Sequence, residues 1–493
     1  MIQVKKLSII DIGSNSIKLL ITNIYSQSYF DIIYEEKIPL RMSQFMNLNQ
    51  TLNDEGFEKL MEILSYFKHL SDFHEVDTIL AIATEATRRL ENAQEILKTI
   101  HEQLQIQIEL LSGEMEAYYG YLATLHTIDL ADYLQIDIGG SSMEIVLVKN
   151  KQLIHSISLP LGAIVTTKKF NLDSEITPKK ENQFNDFLYR AFDEIPWLKD
   201  AIHLPIIGIG GTIRTISKLY RNSKGDSLKL QHQYTLTSAN IQEVYQLLAP
   251  LSLKERLSVK GLSKERADIV LGCLMTVHTL SKYIDSKTLI INRYGIRQGM
   301  IFNQLTIPIH SVLDYSLCNF LHHFQLPVHF NDRLKQSTLT IAHELNMTDS
   351  TSIRILKTIS KLHQIGRVVS FQNINRHSFY LLMNNQINGL LPKEQLMSAY
   401  SIRFLDRLNL KLDAEHKNIL SIQDIEQCKK LSLILQLASY LSILKSEFVS
   451  LQVSNQEIHL QFSKPIPENY SIKLKLLSTL FVDNFNYSLT FSN

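Results

Sequence analysis

The spacing of apolar residues changes repeatedly along this chain, and each change marks an element. LSIIDIGSNSIKLLITNI carries two β-branched apolar runs on either side of a Gly/Ser/Asn segment, which predicts strand, tight turn, strand. DEGFEKLMEILSYFKHL (residues 54–70) has apolar residues at helical spacing, with Phe57, Leu60, Ile63, Leu64 and Phe67 on one face. TILAIAT, ending at Thr84, reads as a short buried strand, and a helix is expected through RRLENAQEILKTIHEQL. IQIELLS is a further strand, and GEMEAYYGYLATLH a helix with Ser112 as its N-cap. LQIDIGGSSMEIVLVKNKQLIHSISLPLG repeats the strand, Gly/Ser turn, strand pattern, and PIIGIGGTIRTISKLY reads as strand, Gly-rich turn, helix. Strands alternate with helices to about residue 300, so this part is α/β. Residues 306–445 are nearly all helical in pattern, and the tail from VSLQVSN onward reads as two strands, a helix and a strand.

Composition narrows the class. The 493 residues are 45% hydrophobic and 20% charged, as in globular chains with sizeable cores. The formal charge is +1, which argues against a uniformly basic nucleic-acid binder. Cys273, Cys318 and Cys428 form neither a zinc spacing nor a disulfide framework, so a reducing cytoplasm is the expected compartment. The start MIQVKKLSIIDIG lacks the architecture of a secretory leader. The most apolar stretch, LSLILQLASYLSIL, has 14 residues, too few for a membrane span, and is expected to be a buried helix. The charge is unevenly spread: residues 1–160 carry 12 Lys+Arg and 22 Asp+Glu, whereas residues 161–300 carry 20 and 13. These differences, −10 and +7, suggest a cleft with one acidic and one basic wall, or two blocks that simply attract each other.

Candidate chemistry sits in a repeat. Asp11-Ile12-Gly13-Ser14-Asn15-Ser16 and Asp137-Ile138-Gly139-Gly140-Ser141-Ser142 share the pattern D-I-G-x-x-S, 126 residues apart, each between two apolar strands. Glycine lets backbone N–H groups converge on an anion, and Ser and Asn add donors. A strand-end Asp in each copy is placed to hold a hydrated divalent cation. Two such domains would face each other across a cleft. Gly210-Gly211-Thr212 opens a helix after a third Gly-rich turn, with Arg214 and Lys218 nearby, and a helix N-terminus can bind anions. Close packing of helix on strand would account for the same glycines. Neither a Rossmann fingerprint nor a P-loop is present.

Taken together, DIGSNSIKLLI (11–21), ATEATRR (83–89), LLSGEMEAYYGYL (110–122), IDIGGSSMEIVL (136–147), SLPLGA (158–163), IGIGGTIRT (207–215) and YGIRQGMI (294–301) resemble the exopolyphosphatase and guanosine pentaphosphate phosphohydrolase family, within the actin and sugar-kinase superfamily. The resemblance covers roughly the first 300 residues. It implies an α/β fold of two duplicated ribonuclease-H-like domains, residues 1–128 and 129–305. An all-α HD-like domain (306–445) and a small α+β domain (446–493) would follow. It also implies phosphoanhydride hydrolysis, with a terminal phosphoryl group between the D-I-G loops. Glu116 matches the family's general base, and a first-turn carboxylate near a cleft suits that role. Glu114, two residues away, would point elsewhere. Asp137 and Glu144 match acidic metal-associated positions, with Asp11 the other strand-end candidate. The implied cofactor is Mg²⁺, with Mn²⁺ as a substitute and a monovalent cation as a candidate activator. Arg88 matches a phosphate contact, for which a bidentate guanidinium is suited. Arg297 ranks lower, as a structural or substrate-adjacent residue.

Three positions depart from the family pattern: Ser141 replaces a glycine, Met143 a threonine and Met115 a glutamate. Further along, ISKLHQIGRVV (359–369) looks like an HD-domain core, but His363 is followed by Gln364 where an aspartate would ligate. With His329 and His377 near other HD positions, structural histidines are expected there and no second metal centre. This part is expected to supply homodimer contacts and a channel for long polyanions. The expected activity is release of orthophosphate from the end of inorganic polyphosphate. Guanosine pentaphosphate is the alternative substrate. A polyphosphate phosphotransferase and a non-catalytic polyphosphate or nucleotide sensor are the readings from other classes.

Overall fold

The computed structural model describes residues 4–47, 49–307, 311–327, 329, 331–444, 448–454 and 456–492. They form two compact units. One comprises residues 1–225 and 231–310, the other 226–230 and 311–493.

The first unit holds two sheets built on one plan. In the first, β1 (Val4–Ile12), β2 (Ser16–Tyr25) and β3 (Tyr29–Pro39) form an antiparallel meander, and β4 (Thr78–Ala83) and β5 (Ile108–Leu110) add in parallel, giving the order β3-β2-β1-β4-β5. In the second, β6 (Tyr133–Ile138), β7 (Met143–Lys149) and β8 (Gln152–Leu159) are the meander, β9 (Ile206–Ile209) and β11 (Thr288–Ile291) the parallel pair, and β10 (Thr235–Thr237) an extra edge strand. The repeat seen in sequence is therefore a repeat of topology. Strand alternation does the rest of the placing. On β1, Leu7 and Ile9 pack on the face covered by Leu111, Met300 and Ile301, while Ile10 and Ile12 enter a different core. Asp11 continues the first row past its apolar members. On β6 and β7, Ile136, Ile138, Met143 and Ile145 fill one core, which leaves Asp137 and Glu144 for the other face.

Helix Gly113–Leu125 lies against that face. Ser112 caps it, accepting from Met115 N. Its far end is held by Asn292 Nδ2, which donates to Thr124 Oγ1 (3.0 Å), and by a hydrogen bond between His232 Nε2 and Thr127 O (3.0 Å). Helix Ile296–Asn303 packs on its other side through Gly299. The helix expected after Thr84 is not continuous. It forms as Glu85–Arg88 and Ala93–Leu104, because Asn92 turns aside to exchange hydrogen bonds with the backbone of Leu52.

The second unit runs as helices from Val312–His323 to Ile422–Ile443, followed by β12 (Phe448–Ser454), β13 (Glu457–Phe462), helix Glu468–Phe485 and β14 (Ser488–Ser492). The helices and the small sheet share one core, in which Leu356, Tyr400, Leu433, Leu460 and Phe481 are buried together. The expected boundary at 445–446 lies outside the described residues. Segment Asp226–Leu230 belongs here, with Leu228 in the core and Ser227 Oγ donating to Glu415 O (2.6 Å). Among the described residues no helix is long and apolar enough to cross a membrane.

Gly299 gives a direct test of how the 113–125 helix is seated. A Cβ there would stand 1.9 Å from the backbone oxygen of Tyr119, which cannot move without moving that helix. Gly299→Ala is expected to destabilise the unit by roughly 1–3 kcal/mol despite alanine's better helix propensity. Unchanged thermal unfolding would refute this packing.

Candidate active site

The two D-I-G segments fold as matching hairpin tips. Gly13 N–H donates to Ser16 O (3.2 Å) and Gly139 N–H to Ser142 O (3.0 Å), so each loop closes in the same way. Neighbouring backbone braces both. Leu40 N and Met42 N donate to Asn15 O and Ser14 O, and Ala163 N and Ile164 N donate to Gly139 O and Gly140 O. The tips approach one another: a Cβ on Gly140 would lie 2.2 Å from Ser14 Oγ. Gly210, at φ +110°, brings the third turn against Ile138 O and the Asp137 carboxylate.

Between these turns lies a cavity of about 570 Å³. It is lined by Asp11, Gly13, Ser14, Asn15, Ser16, Glu116, Asp137, Gly139, Gly140, Ser141, Ser142, Glu144, Gly210, Gly211 and Thr212. Every site residue selected from the sequence is thus gathered there except Arg88. Arg297 and Arg214 line it as well. Of the departures from the family pattern, only Ser141 reaches the cavity, since Met143 is fully buried in a core and Met115 packs on the face of β1.

Glu116 is 5% exposed, in the first turn of its helix, whereas Glu114 faces solvent. Burial raises the Glu116 carboxyl to about 7, with Asp137 and Asp11 adding repulsion and Arg88 opposing it. Asp137 is pushed up to about 6 by burial and by Asp11, against Lys18 and Arg214. Glu144 is pushed up to about 8 by burial, then by Glu116 and Asp137, while accepting from Ser158 Oγ (2.8 Å). Asp11 accepts from Lys18 Nζ (2.9 Å), whereas Asp137 faces Glu144. Register explains the difference. Asp11 pairs across the hairpin with Lys18, and Asp137 with Glu144, each partner seven residues on. Comparing the two copies at that offset would have drawn attention to Lys18.

Sequence reasoning also missed Arg266 and Arg293, which line the cavity with Arg214 and Arg297. Their only sequence signal was the basic excess of residues 161–300. Burial lowers Arg214 below its ordinary value, and Arg266, Arg293 and Arg297 lower it further by repulsion. Arg297 is held by Glu35 (2.6 Å), but among the described residues Arg214, Arg266 and Arg293 ion-pair with no carboxylate. The walls do carry opposite excess, yet they are not simply attracted. Two of the ion pairs between the blocks, Lys37–Glu265 and Arg41–Asp268, run with the polarity reversed.

Among the described residues no three His, Cys, Asp or Glu side chains form a ready-made metal cage. Mg²⁺ does not require one, because it keeps waters and takes one or two carboxylates together with substrate phosphate oxygens. Asp137 and Glu144, cross-strand neighbours with raised carboxyls, have the donor chemistry for such a half-site. In the second unit, His363 is buried and pushed down to about 4 by that burial, whereas His329 is exposed and meets Asp332 (3.1 Å).

The Ppx/GppA phosphatase family matches residues 20–307, and domain III of the same family matches 312–479. The crystal structure of the Aquifex aeolicus member of that family is 26% identical, with a TM-score of 0.55 over 61% of this chain and 98% of that one. An exopolyphosphatase from Cytophaga hutchinsonii has a similar fold at 21% identity, with a TM-score of 0.56 over 62% of this chain and 100% of that one.

Gly210 tests how tightly the third turn is packed. A Cβ there would lie 2.9 Å from Ile138 O and 3.2 Å from Asp137 Oδ1, at a φ that side chains rarely adopt. Gly210→Ala is expected to cost about 1–3 kcal/mol in thermal or denaturant unfolding. A neutral substitution would contradict the described approach.

Proposed function

Because this chain belongs to the Ppx/GppA phosphatase family, we propose that its cavity hydrolyses the terminal phosphoanhydride of inorganic polyphosphate and releases orthophosphate. The observation that carries the choice of substrate is the arginine wall. Arg214, Arg266, Arg293 and Arg297 line the same cavity as the hairpin tips, and three of them lack a carboxylate partner among the described residues. Guanidiniums crowded closely enough to repel one another favour a ligand with several negative charges in a row. A nucleoside would also need a flat apolar surface. Tyr294 is the single aromatic residue among those lining the cavity, and Arg293 stands over its ring (5.6 Å).

In this reading the backbone N–H groups and hydroxyls of the two tips, with Thr212, hold the terminal phosphoryl group. Glu116 orients a water molecule and takes its proton as the water oxygen bonds to phosphorus. The bridging P–O bond breaks, and the shortened chain leaves on the arginine side. A carboxylate raised to about 7 suits this work, because a base poised near the operating pH combines ionisation with basicity. Asp137 and Glu144 would hold Mg²⁺, which when bound supplies positive charge to the phosphoryl oxygens. The serine at position 141 keeps a donor in the second loop.

Glu116→Gln is expected to lower kcat for phosphate release by about a hundredfold or more while the melting temperature holds, since the amide fits but cannot take a proton. Equal activity in this variant would remove Glu116 from the mechanism. For the wild type, kcat/KM should rise with pH through a window of about 6 to 8, the range of Asp137, Glu116 and Glu144, which titrate as a group. Ionised carboxylates are the active form, so activity is lost on the acid side. Added Mg²⁺ should move that limb to lower pH, because a dication favours ionisation. Substrate choice is decided by kcat/KM on long-chain polyphosphate against guanosine pentaphosphate. A preference of tenfold or more for the nucleotide would overturn the polyphosphate assignment, and ATP formation from ADP in place of free phosphate would overturn hydrolysis.

A further inference from the structure

Arg88 matches a phosphate contact in sequence, yet it is the one selected residue that does not line the cavity. Four of its five N–H donors are already engaged. Nε and Nη2 donate to Glu85 Oε2 (3.1 and 2.7 Å), and Nη1 donates to both Leu111 O and Glu116 Oε1. Glu85 is itself gripped from its other oxygen by Arg89 Nε (2.9 Å). The backbone fixes this arrangement. Arg88 follows β4, Leu111 follows β5, and these parallel strands pair Ala83 with Leu110. One planar guanidinium therefore spans the carbonyl just before the Ser112 cap and the carboxylate one turn into the helix. We infer that Arg88, braced by Glu85, is a positioning residue that holds the Glu116 carboxylate toward the cleft, and is not a ligand of substrate phosphate.

The inference rests on reading Glu116 as the general base. Among the described residues, the charged groups that act most on that carboxylate are Arg88 from the helix after β4, Asp11 from β1, Asp137 from β6 and Glu144 from β7, while Lys18 and Arg214 line the same cavity and act on Asp137. Of these, Arg88 is the one cation in direct contact with it. Without it, Glu116 faces three acids and keeps its proton to higher pH, besides losing its fixed orientation.

The test uses the full chain, with kcat, KM and pH profiles for phosphate release from long-chain polyphosphate. In Arg88→Ala the acid limb of kcat/KM is expected to move up by about one pH unit or more. The value of kcat at pH 7 should fall about tenfold or more, and KM should stay within about threefold. Arg88→Lys should return the limb toward the wild-type position and recover kcat only in part, since an ammonium keeps the charge but not the fork. A KM raised about tenfold with the limb unmoved would make Arg88 a phosphate ligand and overturn the inference. Should Arg88→Ala fail to fold, Glu85→Gln provides the same reading: a lowered kcat with little change in KM supports the brace, and wild-type kinetics refute it. A second readout does not depend on substrate. The protonated-carboxyl infrared band of Glu116, isolated as the difference from Glu116→Gln, should titrate at higher pH in Arg88→Ala. If the wild type releases no phosphate while that band shifts, the catalytic reading fails and the positioning contact stands. If phosphate is released and the band does not shift, only the positioning inference fails.

Discussion

Four carboxylates share one small, partly dry space, and the first unit is arranged around the cost of putting them there. Asp11, Glu116 and Glu144 are each at most 5% exposed, and Asp137 stands opposite Glu144 in the same sheet. Like charges at that density in a poorly solvated site cannot all ionise freely, so the group responds by holding protons or by recruiting cations. Two cations are built in. Lys18 serves Asp11 and Arg88 serves Glu116, each by a direct contact. Among the described residues neither Asp137 nor Glu144 has a direct cation contact, although Lys18 and Arg214 act on Asp137 from further away.

This asymmetry was introduced into a symmetric frame. The two sheets repeat one strand order, the two tips close with one hydrogen-bond pattern, and the residue seven places after each aspartate faces it across the hairpin. Lysine at that place in the first copy makes a self-neutralised strand end, and glutamate in the second makes an acidic one. One exchange of charge sign at equivalent positions makes two otherwise matching hairpin ends electrostatically unlike.

That distinction also separates what the sequence disclosed from what it did not. The hairpins, the capped helix bearing Glu116 and the mixed tail were legible because each depends on local pattern: period-two alternation, turn residues, Ser112 before a helical run. The same alternation, followed one step further, explains why Met143 stays out of the cleft, since its side chain belongs to the core and that of its neighbour Glu144 to the cavity. The arginine wall was hidden because its members come from distant segments, the helix after β9, a short 3₁₀ turn at Lys264–Arg266 and the loop and helix after β11. Only the fold brings them together. Arg88 was legible as important but not in its role, because a motif names a residue and cannot say whether its donors are already taken. The break at residues 89–92 was missed for a related reason. Asn92 is tied to Leu52, forty residues away, and no local propensity records that bond.

The two walls then have complementary deficits. On one side, Asp137 and Glu144 are carboxyls that burial pushes toward the protonated form, with no direct cation contact among the described residues. On the other, Arg214, Arg266 and Arg293 are cations with no carboxylate partner among the described residues. Were the walls in direct contact they would neutralise each other and leave no site. The hairpin tips line the same cavity and offer neutral donors, glycine N–H groups and hydroxyls, beside both walls. In the proposed reading, a polyanion that arrives with its own divalent ion would satisfy both deficits at once, with the ion toward the acids and the trailing charge toward the arginines. Either component alone satisfies only one. An isolated cation leaves the arginines repelling, and an isolated anion must approach unshielded carboxylates. On that reading the same electrostatics would favour the pair over its parts, beside the carboxylate whose helix and guanidinium hold it between them.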